Sequence, residues 1–557
     1  MLSRFGFSKP TSIDAQLDNK RVALEEILDM EDCLGQVQMR HKKLIDFIKR
    51  PLIISQLIRH LVLGDDSNYA WIACEILASA IPSIMETLVF QHRELLLVYW
   101  ALLYQTYRLT RQQVVYFCKV NQALLARRPA DMVQFVTRLS DLLPHWIYHL
   151  GDPQGSQLAD LLVSFIYSER MIDCTGITKW FCQQGLIRLL TEQLNPSVDP
   201  MMRQICQQVL CDITRLSQTS HQDMQSIGPN DLMNDLSSTE TIKRVMDSML
   251  DTTSPEAIDS FVCGAKLFIN MIRYNDERYL NNDNILTMND HIPTNSKILA
   301  SMLTYCTTRL PEILYLLENP RSKRKDRLGM ERLVLLELVA EWIHCSNLIG
   351  IQEEGDGFKS AYCTLGVTAR VLDLFFAFPS CNLAHSVICD MIGQTFENKC
   401  LHRKNNKQMI LEVFTSGRLI HRILEVNTQV KACPELSRTL GYMGHLTLLT
   451  KSIVQILDSQ PYLVKTLGDS VPWEEWADYA NIVLNRCEKW DIPPLSDISV
   501  SASTTSLSTA TFPTPPPPIH IPSSLSSGPL SSPLPSPTVL PSLPSSFLST
   551  EVSYHIL

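Results

Sequence analysis

Positive charge is in deficit in this chain: 49 Lys and Arg stand against 58 Asp and Glu among 557 residues, a formal net charge of -9. Proteins that hold nucleic acid need clustered cations to displace counterions from phosphate, so the balance argues against a nucleic-acid binder. Long apolar runs are also missing. The greasiest, residues 95–107, lies between Glu94 and Arg108, and a membrane-spanning helix needs about twenty residues, so a buried helix is expected there instead. The first seven residues are followed by Ser8, Lys9 and Pro10 rather than by an apolar stretch, so secretion is not expected. Cysteine is plentiful but unpaired: 16 are scattered from Cys33 to Cys487 without the spacing of a disulfide framework, which points to a reducing compartment and makes the cytoplasm the expected location. No HExxH, GxSxG, Walker or GxGxxG box is present, so no enzyme and no cofactor are expected.

What fills the chain is helix. From residue 13 to about 490 apolar positions recur at three and four, and strand-like alternation is nearly absent. Over residues 256–273, Ile258, Phe261, Val262, Ala265, Phe268, Ile269 and Ile272 fall on one face; over 203–218, Cys206, Val209, Leu210, Ile213 and Leu216 do so. Many such helices, broken at Arg127-Arg128-Pro129 and Asn195-Pro196, cannot each bury a stripe alone. They must stack, which predicts an all-α, armadillo- or HEAT-like α-solenoid. No internal period is visible in the sequence. Residues 219–240, 274–297, 319–328 and 351–359 are polar or charged and predict loops. The tryptophans lack the recurring Trp-x-x-x-Asn spacing of peptide-holding armadillo grooves and are expected in the core.

Candidate chemistry is sparse. Gly151-Asp152-Pro153-Gln154-Gly155 is similar to the Gly-Asp-x-His-Gly box of metal-dependent phosphatases, but Gln154 stands in place of the histidine ligand and the companion boxes are missing. A helix-connecting turn is the expected role. Cys381, His385 and Cys389, with Cys400 and His402 downstream, could supply zinc ligands, but successive i, i+4 ligands drift around a helix, so buried core residues are expected and no metal is assigned. The run Arg321, Lys323, Arg324, Lys325 and Arg327 reads either as a solvated loop or as a nuclear import signal that would add a nuclear location.

Beyond about Pro493 the composition shifts. Twelve prolines lie between Pro513 and Pro544, and Glu551 is the only charge after Asp497. Such a segment cannot offset its ordering entropy by burial. The chain is therefore expected to divide into a helical-repeat domain, 1–492, and a disordered Pro/Ser-rich tail, 493–557, in which Thr514, Ser532 and Ser536 precede prolines and could accept phosphate.

The most distinctive segment is Gly441-Tyr442-Met443-Gly444-His445-Leu446-Thr447, a polar heptamer opening an apolar helical run through Leu448, Leu449, Ile453, Val454 and Leu457. It resembles the Tyr-Met-Gly-His-Leu-Thr signature of the SAPS family, regulatory subunits of serine/threonine protein phosphatase 6. Further pieces follow in the family's order: Ile13-Asp14 with Leu17; residues 24–29 with Glu31-Asp32; residues 43–48; residues 73–77; Arg127-Arg128-Pro129; residues 211–217; and residues 418–425. The resemblance implies a non-catalytic scaffold that binds the catalytic subunit of protein phosphatase 6 and directs its substrate choice or location, alongside an ankyrin-repeat subunit in some assemblies. The heptamer identifies the family without identifying the contact surface. A helical-repeat adaptor for transport or cytoskeletal assembly is the alternative, and an affinity-purified partner list separates the two.

Overall fold

In a computed structural model of the chain, residues 12–19, 21–64, 68–217, 226–251, 254, 256–275, 296–322, 326–396 and 403–488 are described. Among them there is no strand. A central row runs through the fold: the helices Asn68–Ala78, Arg111–Arg127, Gly155–Tyr167, Pro200–Leu216, Ala257–Asn275, Gly329–Ser346, Asn382–Phe396 and Met443–Ser459 each pack against the next. A second row, Leu142–His149, Leu186–Glu192, Thr239–Leu250, Ser296–Glu318, Gln352–Thr364 and Lys404–Phe414, is likewise built by neighbour-to-neighbour packing. Shorter helices such as Pro129–Val136, Ile177–Gln183 and Asp231–Leu236 carry the chain between the rows. Long, short, intermediate: this succession is the α-solenoid expected from the periodicity, with a step of about 45 residues where it is most regular.

Local chemistry sets the joints. Proline occupies the first turn of the helices that begin at Pro51, Pro82, Pro129 and Pro200, where its missing N–H costs nothing. Thr110 and Gln113 cap each other's backbone at the start of Arg111–Arg127, and the Asp199 carboxylate accepts from the Met201 and Met202 amides. The break at Asn195-Pro196 is held by Arg203, fully buried, whose guanidinium donates to the carbonyls of Asn195, Pro196 and Val198. One step of the core is aromatic: Trp100 meets Phe117, Phe135, Trp146 and Phe165 edge-on at 5.2–6.1 Å. Its indole N–H is satisfied by Asn121 at 2.9 Å. Trp146 and Trp342 are buried as expected, whereas Trp71 is exposed.

Two of the expected loops contain helix. Asp231–Leu236 lies within residues 219–240, and Gln352–Thr364 takes in all of residues 351–359 but the first. The second is polar in sequence, yet Phe358 inserts beside Trp342 at 6.3 Å and is fully buried. A Cβ on Gly355 would come within 2.3 Å of the Ser346 carbonyl oxygen, so glycine permits a close helix crossing. Packing overrode the local pattern. Residues 95–107 form the helix Arg93–Trp100 and the turn Ala101–Tyr104, with Leu95, Leu96, Tyr99, Trp100, Leu102 and Leu103 buried. Among the described residues no single helix is long and apolar enough to cross a membrane. The helices belong to one contact unit, Met1–Ile492. The expected tail, with Thr514, Ser532 and Ser536, lies outside the described residues.

Candidate protein-docking surface

The heptamer forms the joint between two central-row helices. Tyr442 and Leu446, four apart, turn inward and are buried. The Tyr442 ring lies 5.4 Å from Phe375, 5.6 Å from Phe376 and 5.4 Å from His385. Ser386 Oγ is 3.1 Å from His445 Nε2, and the Cys389 thiol donates to the His445 carbonyl. A Cβ on Gly441 would sit 2.7 Å from the Pro379 carbonyl oxygen, whereas one on Gly444 meets nothing within 4 Å. Met443 and Thr447 are half-buried. Burial pushes the pKa values of His385 and His445 down, and for His385 the neighbouring His445 ring adds to the shift. Both rings are thus held towards their neutral forms in the joint.

The other singled-out residues are also engaged in the fold. Asp152 accepts from the Leu109 amide at 2.9 Å and from Arg108 at 3.0 Å, and its Oδ2 lies 2.5 Å from His149 Nδ1. Burial pushes its carboxyl up, but these three donors outweigh burial and hold it below its usual range. Gly155 packs so close to Leu150 that a Cβ would lie 2.0 Å from its carbonyl oxygen. The box is a helix connection. His385 Nε2 donates to the Phe375 carbonyl at 3.1 Å, and burial pushes the Cys389 thiol far up; among the described residues no group of three His, Cys, Asp or Glu side chains is placed to hold a metal ion. Cys400 and His402 lie outside the described residues. Of the basic run, Arg321 is drawn inward: it ion-pairs with buried Glu331 at 3.0 Å and donates to the carbonyls of Met249, Asp251 and Ala257. Arg327 is exposed, and residues 323–325 are not among those described.

Sequence reasoning missed the central row's open face. Each of its long helices leaves one stripe uncovered: Asp160, Ser164 and Tyr167 on Gly155–Tyr167; Gln204, Gln208 and Asp212 on Pro200–Leu216; Val262, Lys266, Asn270 and Arg273 on Ala257–Asn275. Gly329–Ser346 is covered almost all round, and its half-open positions Glu337 and His344 flank Glu341; Asp390 and Gln394 continue on Asn382–Phe396. Charge connects the stripes. Lys119 pairs with Glu75 on the preceding helix, Asp160 feels Asp212, Lys266 acts on Cys211 behind it and Glu337 ahead of it, Arg273 binds Glu341 at 2.6 Å, and Glu341 acts on Asp390. A cleft of about 280 Å³ lined by Val163, Ser164, Tyr167, Arg215 and Leu216 opens on this face. Asp390 is open to solvent, yet the surrounding protein, with Glu341, pushes its carboxyl up to about 6. Burial likewise raises Asp160 and Glu337. One signal was legible: two acids four apart, Glu337 and Glu341, interrupt the apolar run from Leu333 to Ile343.

Residues 121–491 match the family model for SAPS, described as SIT4 phosphatase-associated protein. The chain belongs to the SAPS family. Among its relatives, the extragenic suppressor of kinetochore protein 1 of Schizosaccharomyces pombe is 30% identical over 62% of this SAPS chain and 44% of its own length. The serine/threonine-protein phosphatase 6 regulatory subunit 2 of Homo sapiens is 24% identical, covering 83% of this chain and 51% of its own length. Regulatory subunit 3 of Gallus gallus is 24% identical, at 88% and 58%. The SAPS chain thus spans about half the length of the curated relatives it matches. The matched region includes the heptamer and the open face of the central row from Asp160 onward.

Proposed function

We propose that this chain is a non-catalytic regulatory subunit that binds the catalytic subunit of serine/threonine protein phosphatase 6 and directs its substrate choice or location. The observation that carries the reading is membership of a family whose relatives are named as regulatory subunits of that phosphatase. The mechanism is positional: a stacked helical platform holds the phosphatase while other surfaces collect substrates and raise their effective concentration at its active site. No nucleophile, metal or general base of this chain takes part. Affinity purification of the full chain followed by mass spectrometry tests the reading. The catalytic subunit is expected among the recovered proteins, and its absence overturns the assignment.

Three finer points belong to the same proposal. An ankyrin-repeat protein completes the assembly, which the same purification reads. The helical domain ends near residue 492 and the tail beyond it is disordered and takes phosphate at Thr514, Ser532 and Ser536; limited proteolysis and phosphopeptide mapping check both. The location is cytoplasmic, supported by the free thiols of the described cysteines, and imaging of the tagged chain tests for nuclear entry as well.

A further inference from the structure

We propose that two copies of this chain pair face to face through the outer sides of helices Pro51–Leu63 and Arg93–Trp100. These two helices pack against each other and continue the second row towards the N-terminus, since the turn Ala101–Tyr104 that follows them packs against Leu142–His149. Their inner sides lie over the central row: Pro51–Leu63 against Asn68–Ala78 and Arg111–Arg127, Tyr99 and Trp100 against Phe117. Their outer sides are open. Leu52, Arg59 and Leu63 share one stripe by helical spacing, and Glu94, Leu97 and Val98 share the other. All four apolar members are exposed, Leu52 by 70% and Val98 by 55%. A single exposed leucine is ordinary, but four such side chains on two packed helices form a patch of the kind that marks a protein contact. Further along the flank, ion pairs such as Arg309 to Asp247 tie neighbouring steps together. Among the described residues no ion pair joins Pro51–Leu63 to Arg93–Trp100.

Charge selects the occupant. Arg59 stands between the leucines of one stripe and Glu94 beside the apolar pair of the other, both exposed. Among the described residues Arg59 makes no ion pair, and Glu94 ion-pairs only with the neighbouring His92 ring, at 2.7 Å. A face with a cation on one half, an acid on the other and apolar side chains between them is its own complement: about a two-fold axis, each half meets the opposite half of a second copy. Arg59 of each copy then faces Glu94 of the other, while Leu63, Leu97 and Val98 close the centre, an apolar core within a polar rim. The chain's own tail cannot supply both charges, because no Lys or Arg lies beyond residue 492. The inference does not rest on the phosphatase reading, since both halves of the contact belong to this chain.

The test is the mass of the purified full chain in solution, followed by light scattering as its concentration rises. A mass moving towards twice that of one chain is expected. Leu97→Asp combined with Val98→Asp puts charge into the centre of the face and is expected to weaken pairing roughly tenfold or more. Circular dichroism checks that this variant folds, and if it does not, the charge variants carry the test. Arg59→Glu and Glu94→Arg each set like charges against each other twice across the axis and are expected to weaken pairing about tenfold. An equimolar mixture of those two variants restores it, because every contact is again between opposite signs. Recovery on mixing is the signature of the two-fold arrangement. A chain that stays monomeric at every concentration overturns the proposal, as does wild-type pairing in the variants or no recovery in the mixture. A monomeric chain that loses co-purified phosphatase catalytic subunit on Leu97→Asp also overturns it and gives the face to that partner.

Discussion

The open face of the central row and the flank formed by the outlying helices are both rich in charge, but they differ in how completely it is paired. On the flank, successive steps are stitched by ion pairs: Arg309 to Asp247 at 2.7 Å, Arg370 to Glu318 at 2.5 Å, Arg422 to Asp373 at 2.7 Å. A cleft of about 560 Å³ near Arg244 and Asp247 is lined by both signs, and its Arg244 is already satisfied by Glu240. On the central-row face Lys119–Glu75 and Arg273–Glu341 also link neighbouring helices, but among the described residues Asp160, Glu337 and Asp390 make no ion pair and burial raises all three carboxyls. Paired surface charge helps set the register of neighbouring steps and adds little stability.

The largest expected break of this comparison is internal to neither face. Glu331→Ala would strand Arg321 as a buried, unpaired cation and is expected to cost about 3–5 kcal/mol in urea unfolding, showing that buried pairs, unlike those of the flank, hold the stack. Next, Gly355→Ala forces a Cβ into the Ser346 carbonyl and should cost about 1–3 kcal/mol, read from the same unfolding curves. Asp390 and the heptamer joint should then respond to pH with opposite signs. Asp390 has a raised folded-state pKa, so its contribution is fully present below about 3.8 and is lost as pH rises through about 6; Asp390→Asn removes that loss and gains stability relative to the parent at pH 8. His385 and His445 are lowered from 6.5, so their contribution is present above about 6.5 and is lost as pH falls through the folded values. Melting temperatures measured from pH 4 to 8 on the parent, Asp390→Asn and His445→Gln separate the two.

Smaller effects sharpen the contrast. Arg422→Gln on the flank is expected to cost no more than about 1 kcal/mol in urea unfolding. Gly444→Ala, with open space where its Cβ would be, should be neutral or stabilise by about 0.4–1 kcal/mol through the unfolded chain, while Gly441→Ala, facing the Pro379 carbonyl, destabilises. If both glycine variants fold normally and lose a partner, the heptamer is a contact surface as well as a joint.

Much of the fold was legible because amphipathic periodicity is a local property. The stripe from Phe261 to Ile272 and the break at Pro129 appear in the structure where the pattern put them. The failures share a cause. Residues 351–359 look like a loop until Phe358 finds Trp342, and no local pattern contains that contact. Arg321 looks like part of a solvated basic run until Glu331 and three carbonyls from residues 64–72 positions earlier converge on it. The heptamer marked the family, yet its burial against Phe375 and Phe376 could not be read from its own letters.

By itself, then, the chain's order of residues determined that it is helical, that its helices must stack, and that it carries a SAPS signature, since each of these depends on spacing along one segment. Only the tertiary structure decided which stripe of each helix stays uncovered and which carboxylates lack a partner. Those depend on what neighbouring helices bury, and the contacts that decide it join residues far apart in the chain, so no single segment contains them.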